Sequence, residues 1–382
     1  MSKRLLDKNF CVIPWTGFEL EPNGHVRNCI ISKDKIGNIY KNNIQDILQS
    51  NTKIKEEMLN GKYPSSCDGC FLQEKHRAKD FESISSRLYY AKEIGPSIST
   101  TLFDSKNNFD LKHVDLRWSN ACNQACVYCH PDYSSKWATE LNKKIPHDQE
   151  QIQQVKEYVF KNVKNLKNVY LAGGEPMLMK PNEEFLELLY KENPNVNLRI
   201  NTNLSKTNTR IFEQLCKFKN VHWTVSIETI EEEYEYVRYH GDWTAFLENL
   251  KVIKKLPHKI SFNMLYFILN YKSLFGCVNY LQNLGFHNNS FVIGPLFTPP
   301  HLNILNLPKQ ILNQLKELLQ EKINEKPGFL LENSYQNLLQ YLTETKFYAN
   351  IDVTKKELEK MDRRRNLDSK KVFPKLYQEV LN

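Results

Sequence analysis

The 382-residue sequence has no apolar run long enough to cross a bilayer. Its most apolar stretches reach about ten residues, whereas a spanning helix needs about twenty. The opening segment, Met1-Ser2-Lys3-Arg4-Leu5-Leu6-Asp7-Lys8, lacks the apolar centre of a secretory signal. These absences set the expectation of a cytosolic protein with no membrane partner. There is no internal repeat and no low-complexity linker. The chain is not short of apolar residues: 41% are hydrophobic, which marks a globular protein. Its length allows two or three domains and a large core.

Cysteine is present in an odd number, nine, and seven of the nine fall in two groups. In a cytosolic chain that pattern favours metal binding over disulfides. The formal net charge of +8 could serve an anionic partner such as nucleic acid. The favoured reading is a lysine- and asparagine-rich solvated surface, so a nucleic-acid partner is not expected. The sharpest basic run, Arg363-Arg364-Arg365, is diluted by Asp362 and Asp368.

Three zones follow from the pattern. Residues 1–95 hold Cys11, Cys29, Cys67 and Cys70. Residues 110–300 alternate strand-like and helix-like segments. Residues 301–382 open with a loop after Pro299-Pro300 and then read as helix. In the middle zone the period predicts strands at His113–Trp118, Val169–Gly173, Leu198–Asn203, Trp223–Ile227, Ile260–Ile268 and Phe291–Leu296, with helices between them. Such alternation calls for an α/β fold with parallel pairing and right-handed crossovers. It would be an open doubly wound sheet or a partial barrel, with ligands at the C-terminal strand ends.

Three segments follow the first three strands and share that rim. The first is Cys122-Asn123-Gln124-Ala125-Cys126-Val127-Tyr128-Cys129. The second is Gly173-Gly174-Glu175-Pro176, and the third Asn201-Thr202-Asn203. C-x3-C-x2-C spacing wraps one corner of a cubane cluster with three thiolates, where a closed cluster needs four. The iron without a protein ligand is an open coordination site. Zinc is the alternative, but adjacent Cys129 and His130 rarely reach one tetrahedral ion together. Glycines after a strand allow a ligand close to the backbone, and a glutamate accepts hydrogen bonds from an ammonium group.

In the first zone, Phe18–Glu21 and His25–Ile30 read as a hairpin around Pro22-Asn23-Gly24. Asn-Gly predicts a type I′ turn, which sets Cys29 opposite about Phe18. Cys67-Asp68-Gly69-Cys70 is a knuckle. Four cysteines can close one site, and spacing alone leaves zinc and an iron–sulfur cluster both open. Cys216 and Cys277, in helix-like apolar segments, read as small buried hydrophobes; a hydrogen-donor role is the alternative.

The cysteine loop followed by Gly-Gly-Glu-Pro resembles the radical S-adenosylmethionine (radical SAM) superfamily over about residues 112–300. The resemblance implies a partial (βα)6 barrel. It implies a [4Fe–4S] cluster held by Cys122, Cys126 and Cys129, with S-adenosylmethionine on its unique iron. Reductive cleavage would give a 5′-deoxyadenosyl radical that takes a hydrogen atom from the substrate. Gly173, Gly174 and Glu175 would hold the cofactor's amino group, and Tyr128 would lie against its adenine. Asn203, Ser226 and Glu228 would meet the ribose and carboxylate, and Arg238 would neutralise the carboxylate. Thr202-Asn203-Leu204 departs from the Thr-Asn-Gly common in relatives, and Ser226-Ile227-Glu228 from Ser-x-Asp. An alternative for Arg238 is a surface ion pair with Glu235 or Asp242.

Gly24-x4-Cys29, the upstream Cys11 and the later C-x2-C resemble a twitch domain, a short relative of the SPASM domain, placed before the barrel. This implies an auxiliary [4Fe–4S] cluster on Cys11, Cys29, Cys67 and Cys70. Trp118-Ser119-Asn120, Met361-Asp362-Arg363 and Phe373-Pro374 resemble the same subgroup. The resemblance implies an electron donor such as flavodoxin or ferredoxin, and a peptide or protein side chain as substrate. Alternatives are a small-molecule or nucleotide-type substrate and, more remotely, a non-catalytic metal-binding nucleic-acid module.

Overall fold

The computed structural model describes residues 9–75, 86–345 and 350–381. The expectation on Met1–Lys8 lies outside the described residues. Nine strands form: β1 Gly17–Leu20, β2 His25–Arg27, β3 Lys35–Asn38, β4 His113–Leu116, β5 Asn168–Leu171, β6 Asn197–Thr202, β7 Val221–Ser226, β8 Lys259–Tyr266 and β9 Phe291–Pro295. The last six lie where the hydrophobic period put them. The chain divides into two compact units. One comprises residues 1–122, 131–201 and 208–222, the other residues 123–130, 202–207 and 223–382.

In the first unit the strand order is β3-β2-β1-β4-β5-β6. β1 pairs antiparallel with β2 and parallel with β4, and β4–β5 and β5–β6 are also parallel. The N-terminal hairpin therefore extends the sheet that carries the cysteine loop. Register follows the two-residue strand period. Phe18, Leu20, Val114, Leu116, Val169, Leu171, Leu198 and Ile200 share one face, and each is at most 1% exposed. Helices Gln149–Lys161 and Lys180–Glu192 add Val155, Val159, Phe185 and Leu189 to the buried set. Asp148 starts the former by accepting the Glu150 and Gln151 N–H groups. The other sheet face carries Glu19, His113, Asp115, Asn168, Tyr170, Asn197 and Arg199.

The second unit has the order β7-β8-β9, with β8 and β9 parallel. Phe262 stacks on Phe291 at 5.5 Å and meets Phe286 edge-on at 4.8 Å. Helices Glu231–Val237, Trp243–Lys254 and Ser273–Asn283 follow the βα alternation. Beyond β9 the chain is helical, with long helices at Lys309–Asn324, Phe329–Glu344 and Ile351–Arg365. Among the described residues no helix is long and apolar enough to cross a membrane.

The hairpin corrects one expectation. Asn23 is not left-handed; Gly24 alone has positive φ, +81°. Gly24 N–H donates to Glu21 C=O at 2.9 Å, so the turn runs over Glu21–Gly24 with Pro22 at its first corner. The loop is one residue longer than a type I′ turn, and the register moves by one. Glu19 faces Arg27, which by continuation sets Cys29 level with Gly17, not Phe18. A Cβ on Gly24 would meet the Tyr40 ring at 2.6 Å. Gly24→Ala is expected to destabilise the fold by about 1–2 kcal/mol through its left-handed backbone alone, with more from the Tyr40 clash. Urea unfolding measures it, and an unchanged midpoint would contradict this turn.

Candidate active site

In the first unit, β4 delivers Arg117 and Trp118 to the start of the cysteine loop. Trp118 Nε1 donates to Asn182 Oδ1 at 2.8 Å, and Asn182 Nδ2 donates to Pro176 O at 2.8 Å. One buried asparagine thus ties the loop's entry to the glycine turn. Cys122 N–H donates to Ser135 Oγ at 3.1 Å, and that hydroxyl donates back to Cys122 O at 3.0 Å. Glu175 N–H donates to Ala121 O at 2.7 Å. The Gly-Gly turn and the loop lie in direct backbone contact. A Cβ on Gly174 would fall on the Ala121 carbonyl oxygen and stand 2.8 Å from Asn120 C. Gly173 has φ +115°, where L side chains are strained. Glu175 is 1% exposed and accepts Met177 N–H at 3.1 Å.

In the second unit, the loop's later residues are fastened to the segment after helix Glu231–Val237. Ala125 N–H donates to Tyr239 O at 2.9 Å and Val127 N–H to Val237 O at 2.8 Å. Arg238, between those two carbonyls, is aimed inward. Its Nε and Nη2 bind Glu228 at 2.9 and 2.8 Å, and its Nη1 lies 3.9 Å from Cys126 Sγ. Its guanidinium lies 5.9 Å from the Tyr128 ring centre. The side chains of Arg238 and Glu228 are 3% and 2% exposed, so the surface-pair alternative does not hold. The two residues expected at the cofactor carboxylate and ribose are bound to each other.

Burial raises the Cys126 thiol pKa, opposed by Arg238. Burial, then Cys126, pushes the Cys129 thiol up to about 12. Burial raises Glu228, while Arg238 opposes. Both thiols therefore sit as neutral groups whose protons must leave when metal binds. Tyr128 is half-buried, edge-on to Phe267 at 5.7 Å. Ser226 ends β7, half-buried.

Asn203 is buried. Its Nδ2 donates to Asn123 Oδ1 at 3.0 Å, and Asn123 Nδ2 donates to Ser205 Oγ at 2.9 Å. Leu204 keeps the left-handed conformation at φ +54° where relatives have glycine. Thr202 Oγ1 accepts its N–H at 2.9 Å, and Asn249 Nδ2 donates to its carbonyl at 3.0 Å.

Asn123 was missed in the sequence, although its place inside C-x3-C marks it. The C-terminal brace was missed as well. Tyr236 Oη donates to Asp362 Oδ1 at 2.7 Å and meets Phe373 edge-on at 5.1 Å. Asp362 Oδ2 accepts Ser369 N–H at 2.9 Å. The Arg365 guanidinium stacks on the Tyr239 ring at 4.6 Å. Arg365 is 6% exposed, so the Arg363–Arg365 run is not a continuous solvent-facing patch. Cys277 is fully buried, and Cys216 caps the helix Arg210–Leu215.

Cys11, Cys29, Cys67 and Cys70 line one pocket with Arg87 and Tyr90, beside the core of Phe10, Trp15 and Phe103. Cys11 is raised by burial and then by Cys67, Cys29 and Cys70. Burial and then Cys70 push Cys29 and Cys67 up to about 12. None of the four is in a disulfide. Among the described residues no group of three or more His, Cys, Asp or Glu side chains is placed to hold a single metal ion. Four free thiols lining one pocket are a donor set that fits a four-cysteine iron–sulfur cluster.

Residues 116–288 match the family model of the radical SAM superfamily, and residues 11–71 that of SPASM, an iron–sulfur cluster-binding domain. No curated protein matches the chain. Among solved structures, native anSMEcpe with bound AdoMet is 18% identical over 55% of this chain and 58% of its own, TM-score 0.41. Streptococcus suis SuiB bound to S-adenosylmethionine is 16% identical over 59% and 51%, TM-score 0.39. SuiB bound to precursor peptide SuiA is 15% identical over 76% and 65%, TM-score 0.42. The chain thus spans little more than half of the first two, and likeness at these scores carries no functional weight.

Replacing Glu228 with Ala leaves Arg238 charged and buried. Removing one partner of such a pair costs about 3–5 kcal/mol. Guanidinium unfolding is expected to show that loss for Glu228→Ala, and a loss near zero would place the pair in solvent.

Proposed function

Given that the chain belongs to the radical SAM superfamily and carries an iron–sulfur cluster-binding domain at residues 11–71, we propose that it is a hydrogen-abstracting enzyme acting on a peptide or protein side chain. The observation that carries this reading is the division of its cysteines. Three stand on a loop at the rim of the βα strands, and four line a separate pocket. When bound, a cluster with an open iron would supply the chemistry of reductive S-adenosylmethionine cleavage. S-adenosylmethionine and iron–sulfur clusters are the enzyme's cofactors.

The chain's own residues would do the positioning. Cys122, Cys126 and Cys129 would hold the open cluster. Gly173 and Gly174 bring the cofactor turn against the loop, and Glu175 and Tyr128 would receive the amino group and adenine. Asn203, Ser226 and Glu228 would meet the ribose and carboxylate, and Arg238 would neutralise the carboxylate. Arg238 opposes the upward shift of Cys126 and so favours its thiolate. Glu228 binds Arg238 and holds it in place. Cys11, Cys29, Cys67 and Cys70 would close the auxiliary [4Fe–4S] cluster, with no ligand position left for substrate. We divide the chain into an auxiliary domain at 1–95, a partial barrel at 110–300 and a helical extension at 301–382. The electron donor would be a flavodoxin or ferredoxin. The set of free thiols supports a cytoplasmic location.

The anaerobically reconstituted protein is expected to release 5′-deoxyadenosine when given S-adenosylmethionine and a strong reductant. The same release from a Cys126→Ala variant would contradict the reading. Loaded protein is expected to hold about eight irons per chain, and about four once Cys122, Cys126 and Cys129 are all replaced by Ala. Zinc in the remaining site would overturn the auxiliary-cluster assignment.

A further inference from the structure

The basic run Arg363–Arg365 closes the helix Ile351–Arg365 but is split by burial: Arg363 and Arg364 are exposed, and Arg365 is buried. Asp362 and Arg365 stand three residues apart, so they share one face of that helix. Each meets one of the two tyrosines that flank Arg238. Tyr236 Oη donates to Asp362 Oδ1 at 2.7 Å. The Arg365 guanidinium lies over the Tyr239 ring at 4.6 Å, and Tyr239 Oη donates to the Arg365 carbonyl at 3.4 Å. Asn366 then takes the left-handed conformation at φ +52° and turns the chain back. Ser369 N–H and Oγ thereby reach Asp362 Oδ2 at 2.9 and 2.6 Å, and Tyr377 Oη lies 2.5 Å from the same Ser369 Oγ. Tyr236, Ser369 and Tyr377 are buried. A connected network of this kind is rigid.

What this clasp holds is the segment Val237-Arg238-Tyr239. Its outer two carbonyls accept the Val127 and Ala125 N–H groups, one on each side of Cys126. Arg238, between them, points its Nη1 at Cys126 Sγ from 3.9 Å while Glu228 holds the rest of the guanidinium. Burial raises the Cys126 thiol; Arg238 opposes that rise most, Glu228 adds to it, and Arg365 also opposes it. Two arginines therefore bear on this sulfur, and one of them belongs to the C-terminal extension. All of these residues lie within the second unit.

We propose that residues 362–377 are a positioning element for the open cluster: by clasping Tyr236 and Tyr239 they hold Arg238 against Cys126, and with the charge of Arg365 they set how readily that cluster is reduced. This rests on the radical reading. Charge and hydrogen bonds around the ligating sulfurs tune the reduction potential of a cluster. A cation fixed beside a ligating sulfur favours the reduced form, which carries one more negative charge. Arg365 supplies such a charge at second remove. Asp362 and Ser369 supply fixity, because Arg238 can move away from Cys126 only if the helix end that carries Tyr236 moves with it. An extension that merely stabilised the fold would leave the potential of one cluster unchanged relative to the other.

The test is a redox titration of the reconstituted full chain, followed by electron paramagnetic resonance, for the wild type, Arg365→Gln, Arg365→Lys and Tyr236→Phe. The signal that responds to S-adenosylmethionine reports the open cluster, and the unresponsive one reports the auxiliary cluster. At the potential where the wild-type open cluster is half reduced, Arg365→Gln is expected to lower its reduced-to-oxidised ratio about threefold. Tyr236→Phe, which keeps the ring against Phe373, should shift the ratio in the same direction. Arg365→Lys keeps the charge over Tyr239 and should stay within about 1.5-fold of the wild type. The auxiliary ratio should not move in any of them. An open-cluster ratio unmoved by Arg365→Gln, an equal shift of both clusters, or a shift as large in Arg365→Lys overturns the proposal. If Arg365→Gln does not load with iron, Tyr236→Phe decides alone, and an unmoved ratio there overturns it. The wild type separates the two readings. No signal that responds to S-adenosylmethionine counts against the radical reading and the clasp together, whereas a responsive signal with an unmoved ratio removes only the clasp.

Discussion

Backbone contact between the cysteine loop and the Gly173-Gly174 turn is the constraint on which the site depends. The Glu175 N–H to Ala121 carbonyl bond and the absence of a Cβ at Gly174 let two strand-end loops lie against each other. Any larger residue at 174 would displace the backbone just before Cys122. The second glycine thus serves the protein before it serves a cofactor: it fixes where the first thiol stands. Ser135 and Asn182 fix the same segment from the side through hydrogen bonds of 2.8–3.1 Å.

The two units treat buried charge differently. In the second, Arg238 and Glu228 form a bidentate pair beside Cys126, with a net charge of zero. In the first, Arg117 is shared between Asp115 and Glu19. A neutral pair next to a thiolate steadies it without competing for the cofactor. The long C-terminal helix adds a mechanical element: Asp362 and Arg365 grip Tyr236 and Tyr239, on either side of Arg238.

The alternating βα elements were legible because each strand and helix repeats its own hydrophobic period, and the end caps mark the helices. The cysteine sets were legible because thiolate spacing is chemically specific. The hairpin register was not, because Asn-Gly alone predicts a two-residue turn while Pro22 at the corner opens a longer loop. The pairing of Arg238 with Glu228 was hidden because the partners are separated by a helix, and sequence distance says little about which charge a buried arginine meets. His113-x-Asp115-x-Arg117 did carry a signal of the polar face: three polar residues at a two-residue period within an apolar strand. Leu204 shows the converse, a residue that breaks a family pattern while the fold keeps the left-handed turn the pattern served.

The central claim is a division of labour between one open and one closed cysteine set. Electron paramagnetic resonance of the reduced, fully loaded protein, before and after S-adenosylmethionine is added, tests it most directly. Two reduced-cluster signals are predicted, of which one changes on addition and the other does not. A spectrum in which neither signal responds, or both do, would contradict the account.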